Sequence, residues 1–293
     1  MPPGARPTPR LLESAALDAS VRRWLDVMPE RVADVAARWR LELGDPFLPG
    51  GHTAWVAPAR TRDGDEVVLK VGMRHREADD EATALRLWDG SGAVRLHREE
   101  LDDDTLYLLL ERCVPGAPLS DRSEPEQDEV IASVLRRTWA AAVAPTTFRP
   151  LAELCAIWAD ETEERLRSRE DVVDAGLARE AIAVLRQRPT AQVVDGDVVL
   201  CTDLHAGNVL SAHREPWLVV DPKPYAGEAA YDLVQHLFNC RARLTADPAG
   251  LTGRLAALAD VDAAAVRTWV FARGVTELFW WPDLLPVVRA LAP

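Results

Sequence analysis

The chain has 293 residues, 48% of them hydrophobic, which is enough for a sizeable core and for about two domains or one large one. Its 34 Lys and Arg against 47 Asp and Glu leave a formal charge of −13; nucleic acid is thereby disfavoured as a partner, since counterion release needs clustered positive charge. Cys113, Cys155, Cys201 and Cys240 share no Cys-x-x-Cys spacing, which argues for reduced thiols and against a disulfide scaffold or a zinc site.

The first ten residues are proline-rich and carry no apolar secretory segment, and no apolar run approaches the roughly 20 residues of a membrane span. A soluble cytoplasmic protein with no membrane partner, a monomer or weak dimer, is expected. Residues 11–28 and 30–43 read as helices separated by Pro29, the second presenting Val32, Val35, Ala36 and Trp39 at helical spacing. Gly50 and Gly51 follow, either as a tight turn or as a place where backbone amides approach a phosphate. A strand is expected at 53–57, a hairpin turn at Asp63-Gly64, and a returning strand at 66–71 with Lys70 near its end.

A helix is expected over 74–88, carrying Glu77 and Glu81 on one face. Strands at 93–96 and 105–111, joined through the acidic turn 101–104, complete a small antiparallel lobe. Periodicity is lost after Glu111-Arg112-Cys113, which places a hinge at 113–118. The remainder reads as chiefly helical, with helices expected over 128–143, 151–167, 177–187 and 227–240 and one or two more over 252–281. The expected division is therefore 1–43 as an N-terminal helical extension, 44–112 as an N-lobe, 113–118 as the hinge and 119–293 as a C-lobe.

The chemistry concentrates between residues 199 and 223. An apolar strand delivers Asp203 into a short polar loop, Asn208 follows five residues later, and a second apolar strand ends in Asp221. Phosphoryl transfer wants that set: one carboxylate to orient the acceptor hydroxyl, with an amide oxygen and a second carboxylate to hold magnesium against the phosphates. Protein kinases have the same order and spacing, with a His and an Arg before the catalytic Asp where this chain has Cys201 and Thr202. His205 either touches the γ-phosphate or braces the loop, and Lys223 is either a surface charge or a phosphate contact.

The segment Thr202-Asp203-Leu204-His205-Ala206-Gly207-Asn208-Val209-Leu210, with Trp217-Leu218-Val219-Val220-Asp221-Pro222-Lys223, resembles the aminoglycoside and hydroxyurea antibiotic-resistance kinases, the streptomycin 6-phosphotransferases in particular. Further likeness lies in Ala84-Leu85-Arg86-Leu87-Trp88 and Leu109-Leu110-Glu111-Arg112, so that it covers roughly residues 40–285. The resemblance implies an α+β, bilobal protein-kinase-like fold, a small N-terminal antiparallel-sheet lobe followed by a larger, mainly helical C-terminal lobe. It implies ATP and Mg2+ as cofactors, with Asp203 and His205 in the catalytic loop and Asn208 and Asp221 as metal ligands.

By the same resemblance, Lys70 is the phosphate-binding lysine, paired with Glu81 or with its rival Glu77. Gly50 and Gly51 cover the phosphates, and Glu111, Arg112 and Cys113 meet the adenine. The implied acceptor is a cationic aminocyclitol such as streptomycin, walled by Glu228, Asp232, Glu277 and Asp283 with Trp280 and Trp281, since carboxylates and aromatic faces both attract guanidinium. On the other reading Asp232 is a buried structural acid and the tryptophans are core. Hydroxyurea, another small metabolite, or no transfer at all in a nucleotide-binding module are the alternatives.

Overall fold

The computed structural model describes residues 5–76, 78–102, 104–141, 147–169, 171–190, 192, 194 and 196–293. Two compact units share the chain, residues 1–90 with 94–116 in the first and 91–93 with 117–293 in the second. Among the described residues no helix is long and apolar enough to cross a membrane.

Unit 1 opens with α1 (Pro9–Leu17) and α2 (Ala19–Trp39). The break between them lies at Asp18 and not at Pro29. The Asp18 carboxylate accepts from the Ser20 N–H at 2.7 Å and so caps α2. Pro29 stays inside α2, where losing one backbone hydrogen bond costs about 3 kcal/mol. Burial of Val21, Trp24, Met28, Val32, Val35 and Trp39 along one face offsets that cost.

The sheet that this face covers has β1 (Glu42–Leu43), β2 (Ala54–Arg60), β3 (Glu66–Met73), β4 (Leu96–Asp102) and β5 (Thr105–Glu111), in the antiparallel order β1-β2-β3-β5-β4. Strand side chains alternate between faces. Val67, Leu69 and Val71 of β3 therefore join Trp55, Ala57, Tyr107 and Leu109 beneath the two helices, and Lys70 emerges on the opposite face. α1, α2 and the sheet thus share one core.

Two local expectations change. The helix before the strand pair is shorter, α3 (Glu81–Trp88), with Arg74 paired to Asp79 across the preceding turn at 2.8 Å. The strand expected at 93–96 is displaced to β4, and Ala93 instead makes an isolated parallel bridge to Val219 inside unit 2.

Unit 2 begins in β6 (Pro115–Pro118), whose Ala117 N–H donates to Ser211 Oγ at 2.9 Å. Its helices are α4 (Glu124–Trp139), α5 (Leu151–Ser168), α6 (Ala175–Gln187), α7 (Val234–Asn239), α8 (Arg241–Ala246), α9 (Pro248–Ala259), α10 (Ala263–Glu277) and α11 (Leu285–Leu291). A box between Ser123 and Glu126 caps α4; the end expected for this helix at 143 lies outside the described residues. Val266, Trp269, Val270, Phe271, Ala272 and Val275 make α10 the buried centre of the unit. Two short antiparallel pairs carry the polar loops: β7 (Val198–Leu200) with β10 (Tyr225–Gly227), and β8 (Val209–Ala212) with β9 (Trp217–Val219). The helix expected over 227–240 starts only at Val234, because Tyr225–Gly227 is taken by pairing with β7 and a 3-10 turn, Ala229–Leu233, follows.

Candidate active site

Asp203 stands three residues past the end of β7. The intervening backbone is held from below by Asp232, whose carboxylate accepts from the Cys201 N–H at 2.9 Å, the Thr202 N–H at 2.7 Å and Trp139 Nε1 at 3.0 Å. Thr202 has φ +48, a left-handed conformation that a β-branched residue adopts only when its surroundings impose it. They do so twice, through Asp232 and through Thr202 Oγ1, which donates to the Lys223 carbonyl at 2.6 Å. Cys201 is fully buried, and burial raises its thiol well above the usual range. The two residues that replace the protein-kinase His-Arg are thus a core residue and a backbone brace.

Asp232 is completely buried, which corrects its expected place in the acceptor wall. Burial pushes its carboxyl up to about 6 against the pull of the three N–H donors. At neutral pH it remains the anion those donors require.

Beyond Asp203 the loop is tied to the second strand pair. Asn208 Nδ2 donates to the Asp203 carbonyl at 3.1 Å, and the Val220 N–H donates to the Asn208 carbonyl at 2.9 Å. These two bonds bring Asp203, Asn208 and Asp221 together. His205 Nδ1 accepts from the Gly207 N–H at 3.0 Å, closing the turn Ala206–Asn208. A Cβ at Gly207 would meet the His205 ring at 2.8 Å, so glycine is required there by close approach. Through Nδ1, His205 braces the loop.

Asn208 and Asp221 are the residues that could hold magnesium: Asn208 donates through its amide nitrogen to the Asp203 carbonyl, and Asp221 Oδ1 lies 2.8 Å from Lys223 Nζ. Amide and carboxylate oxygens are the hard donors this ion prefers.

In unit 1, Lys70 Nζ reaches both carboxylate oxygens of Glu81, at 2.7 and 2.6 Å, and both side chains are buried. Glu77, the rival partner, lies outside the described residues. Gly50 has φ +88, and a Cβ there would lie 2.2 Å from Thr8 Oγ1. Its lack of a side chain therefore serves the packing of the N-terminal segment; Gly51 sits against the Ala54 carbonyl. The Glu111 N–H donates to the Arg95 carbonyl at 2.9 Å, which ties Glu111 to the sheet. Arg112 lies over the Phe47 ring, 5.8 Å from its centroid, and Cys113 is half-buried.

The acids expected to face a cationic acceptor already have arginines. Glu228 takes Arg188 through two bonds of 2.7 and 2.6 Å and Trp269 Nε1 at 2.8 Å. Glu277 takes the buried Arg273 at 2.7 Å, and Asp283 faces Arg241 at 3.9 Å. Glu228 and Glu277 belong to one cluster, because Arg273 stacks 3.6 Å above Trp158, which stacks on Tyr231, which meets Trp269 edge-on. Trp280 is 65% exposed beside Arg165 and stands apart from that cluster. Arg188, Arg273, Trp158 and Trp269 were missed by sequence reasoning. Only the i,i+4 spacing of Arg273 and Glu277 was there to be read. Beside Glu228 opens a hollow of about 340 Å³, lined also by Arg188, Thr190, Asp197 and Leu151.

Each unit taken by itself has the architecture of the protein-kinase-like phosphotransferases: an antiparallel sheet with a buried Lys–Glu pair, and a helical unit with a strand-borne Asp, an Asn and a second Asp. Solved structures share the fold. An aminoglycoside phosphotransferase, APH(4)-Ia, in a ternary complex with ADP and hygromycin B, superposes with a TM-score of 0.56 at 15% identity, over 89% of this chain and 98% of that one. Amicoumacin kinase in complex with AMP-PNP, Ca2+ and Ami gives 0.59 at 15% identity, over 79% and 78%.

The chain belongs to the aminoglycoside/hydroxyurea antibiotic resistance kinase family, which it matches over residues 38–284. A hydroxyurea phosphotransferase of Kitasatospora aureofaciens is 35% identical over 89% of this chain and 75% of its own. A streptomycin 6-kinase of Streptomyces griseus is 31% identical over 93% of this chain and 88% of its own.

Proposed function

We propose that the protein transfers the γ-phosphoryl group of ATP to a hydroxyl of an aminoglycoside of the streptomycin type, in the cytoplasm. What supports this reading is that the loops bearing Asp203, Asn208 and Asp221 are tied to each other by the Asn208–Asp203 and Val220–Asn208 bonds. Asp203 orients the acceptor hydroxyl and takes its proton as the new O–P bond forms and the bond to the β-phosphate oxygen breaks, releasing ADP. Magnesium, held by Asn208 and Asp221, would supply neutralisation of the phosphate charge. Lys70, fixed by Glu81, positions the nucleotide phosphates, with Gly51 and Cys113 as further nucleotide contacts. The acceptor lies toward Glu228 and Asp197, whose neighbour Val198 is five residues before Asp203 and so at most about 17 Å away along an extended chain.

Hydroxyurea is the second reading, favoured by a charge argument as well as by the 35% identical relative. Because Glu228, Glu277 and Asp283 each meet an arginine, a guanidinium-bearing acceptor must displace one cation with another, whereas a small neutral acceptor need not. Turnover of ATP with each acceptor, compared between wild type and Asp203→Asn, tests the proposal. The expected loss is about 100- to 10,000-fold in kcat with ATP affinity kept. Undiminished turnover in that variant would overturn the role of Asp203, and ATP binding without transfer to either acceptor would overturn the proposed substrates.

A further inference from the structure

Lys223 is built into the site more firmly than a surface charge. Its N–H donates to the Cys201 carbonyl at 2.9 Å and its carbonyl accepts from Thr202 Oγ1 at 2.6 Å, so its backbone is clamped on both sides to the two residues that precede Asp203. The intervening Pro222 has a fixed φ and no N–H. Asp221 itself is left-handed, at φ +53, a conformation that persists only when its neighbours impose it. The Asn208 bond to Val220 holds it from one side and the Lys223 clamp from the other. Of the two paired side chains the lysine is the more buried, 14% exposed against 42% for Asp221. An ammonium withdrawn that far from water needs a partner anion, and Asp221 Oδ1 supplies it at 2.8 Å.

We infer that Lys223 is an internal counter-cation for Asp221, a positioning residue that keeps bare divalent ions out of the nucleotide-free site so that the metal enters together with the triphosphate. The inference rests on the assignment of Asp221 as a metal ligand. Its physical basis is competition: an ammonium in contact with a carboxylate oxygen weakens the binding of a second cation to that oxygen, through direct occupancy and through charge repulsion. A nucleoside triphosphate reverses the balance, because its negative charge attracts both cations and frees them from sharing one carboxylate. The ammonium is then available to phosphate oxygens. An exposed ion pair with no such role would be worth little and would leave metal affinity unchanged.

Mn2+ titration followed by electron paramagnetic resonance, with and without ATP, reads this directly. The variants are Lys223→Met and Lys223→Gln, which remove the charge, and Lys223→Arg, which keeps it. In the absence of nucleotide the two neutral variants are expected to bind Mn2+ about ten-fold more tightly than wild type, and Lys223→Arg to match wild type. With ATP bound the difference should shrink, and kcat should fall in the neutral variants. Melting temperatures close to wild type for at least one neutral variant certify that the fold is intact. Nucleotide-free Mn2+ affinity unchanged in both neutral variants, while Asp221→Asn abolishes Mn2+ binding, overturns the role of Lys223 alone. If Asp221→Asn has no effect on Mn2+ binding in any background, the metal assignment of Asp221 falls, and this inference falls with it.

Discussion

Asp232 and Asp128 are both fully buried carboxylates of unit 2, yet their environments pull them in opposite directions. Among the described residues Asp232 accepts from three neutral N–H dipoles at the base of the catalytic loop, and desolvation prevails, raising it to about 6. Burial would raise Asp128 too, but His236, Arg243 and Arg254 together outweigh it and hold it at about 2. The arginines bind Asp128 at 2.7 and 3.0 Å and the imidazole at 3.0 Å, which pins α4 to α7, α8 and α9. Asp128, His236 and Cys240 lie close enough together to suggest a metal site. The two guanidinium groups already supply the positive charge that an ion would bring. What separates the two acids is the charge of their donors: cations turn a buried acid into a strut, whereas dipoles leave it as a clamp on a loop that must keep its shape.

The largest effect should come from removing the strut. Asp128→Ala leaves two guanidinium groups beside an empty buried site and is expected to cost about 3–5 kcal/mol, read as a lower midpoint in urea unfolding.

The clamp should show in the pH dependence. Asp232 has a folded value above its unfolded one, so between pH 4 and 6 the folded state binds more protons than the unfolded state, and stability falls as pH rises through that window. From 3.8 to about 6 the change is about 3 kcal/mol. The stability of wild type relative to Asp232→Asn should therefore grow by about 2 kcal/mol on going from pH 7 to pH 4.5, the remainder appearing only at lower pH. A difference that is flat with pH would show that Asp232 is not the titrating clamp.

Asp128 has the opposite sign. Its folded value is depressed, so its contribution is present above pH 3.8 and is lost as pH falls toward 2, about 2 kcal/mol in all. Comparing wild type with Asp128→Asn below pH 4 isolates it.

The smallest expected effect is that of Thr202→Ala, which removes one hydrogen bond to the Lys223 carbonyl and is worth about 1 kcal/mol. Because that bond ties the residue before Asp203 to the residue after Pro222, the variant should lower kcat by more than its stability loss suggests. Equal kcat in the variant and wild type would show that the clamp through Asp232 suffices alone.

Much of the fold could be read from the order of residues. β5 coincides with the strand expected at 105–111, and β3 with the start expected at Glu66; alternation in β3 decides that Lys70 faces away from Val67, Leu69 and Val71. Pro29 does not break α2, because six large buried side chains hold the helix together on both sides of it. β4 leaves little trace in the sequence, because it is mostly polar and exposed and offers no apolar alternation. Asp232 and Glu228 are four residues apart and indistinguishable as letters, yet one is sealed beneath the catalytic loop and the other is shared by Arg188 and Trp269.

The sequence by itself determined the chemistry available: a carboxylate at a strand end, an amide five residues on, a second carboxylate after the next strand, and a lysine in the first sheet. Those properties depend on spacing and period, which neighbours along the chain impose. Only the tertiary structure decided which acids are spent on arginines and which are open to a ligand. Partners such as Arg188 and Glu228, or Cys201 and Asp232, lie 40 and 31 residues apart, and the desolvation of Cys201 and Asp232 arises only when the packed chain excludes water from both.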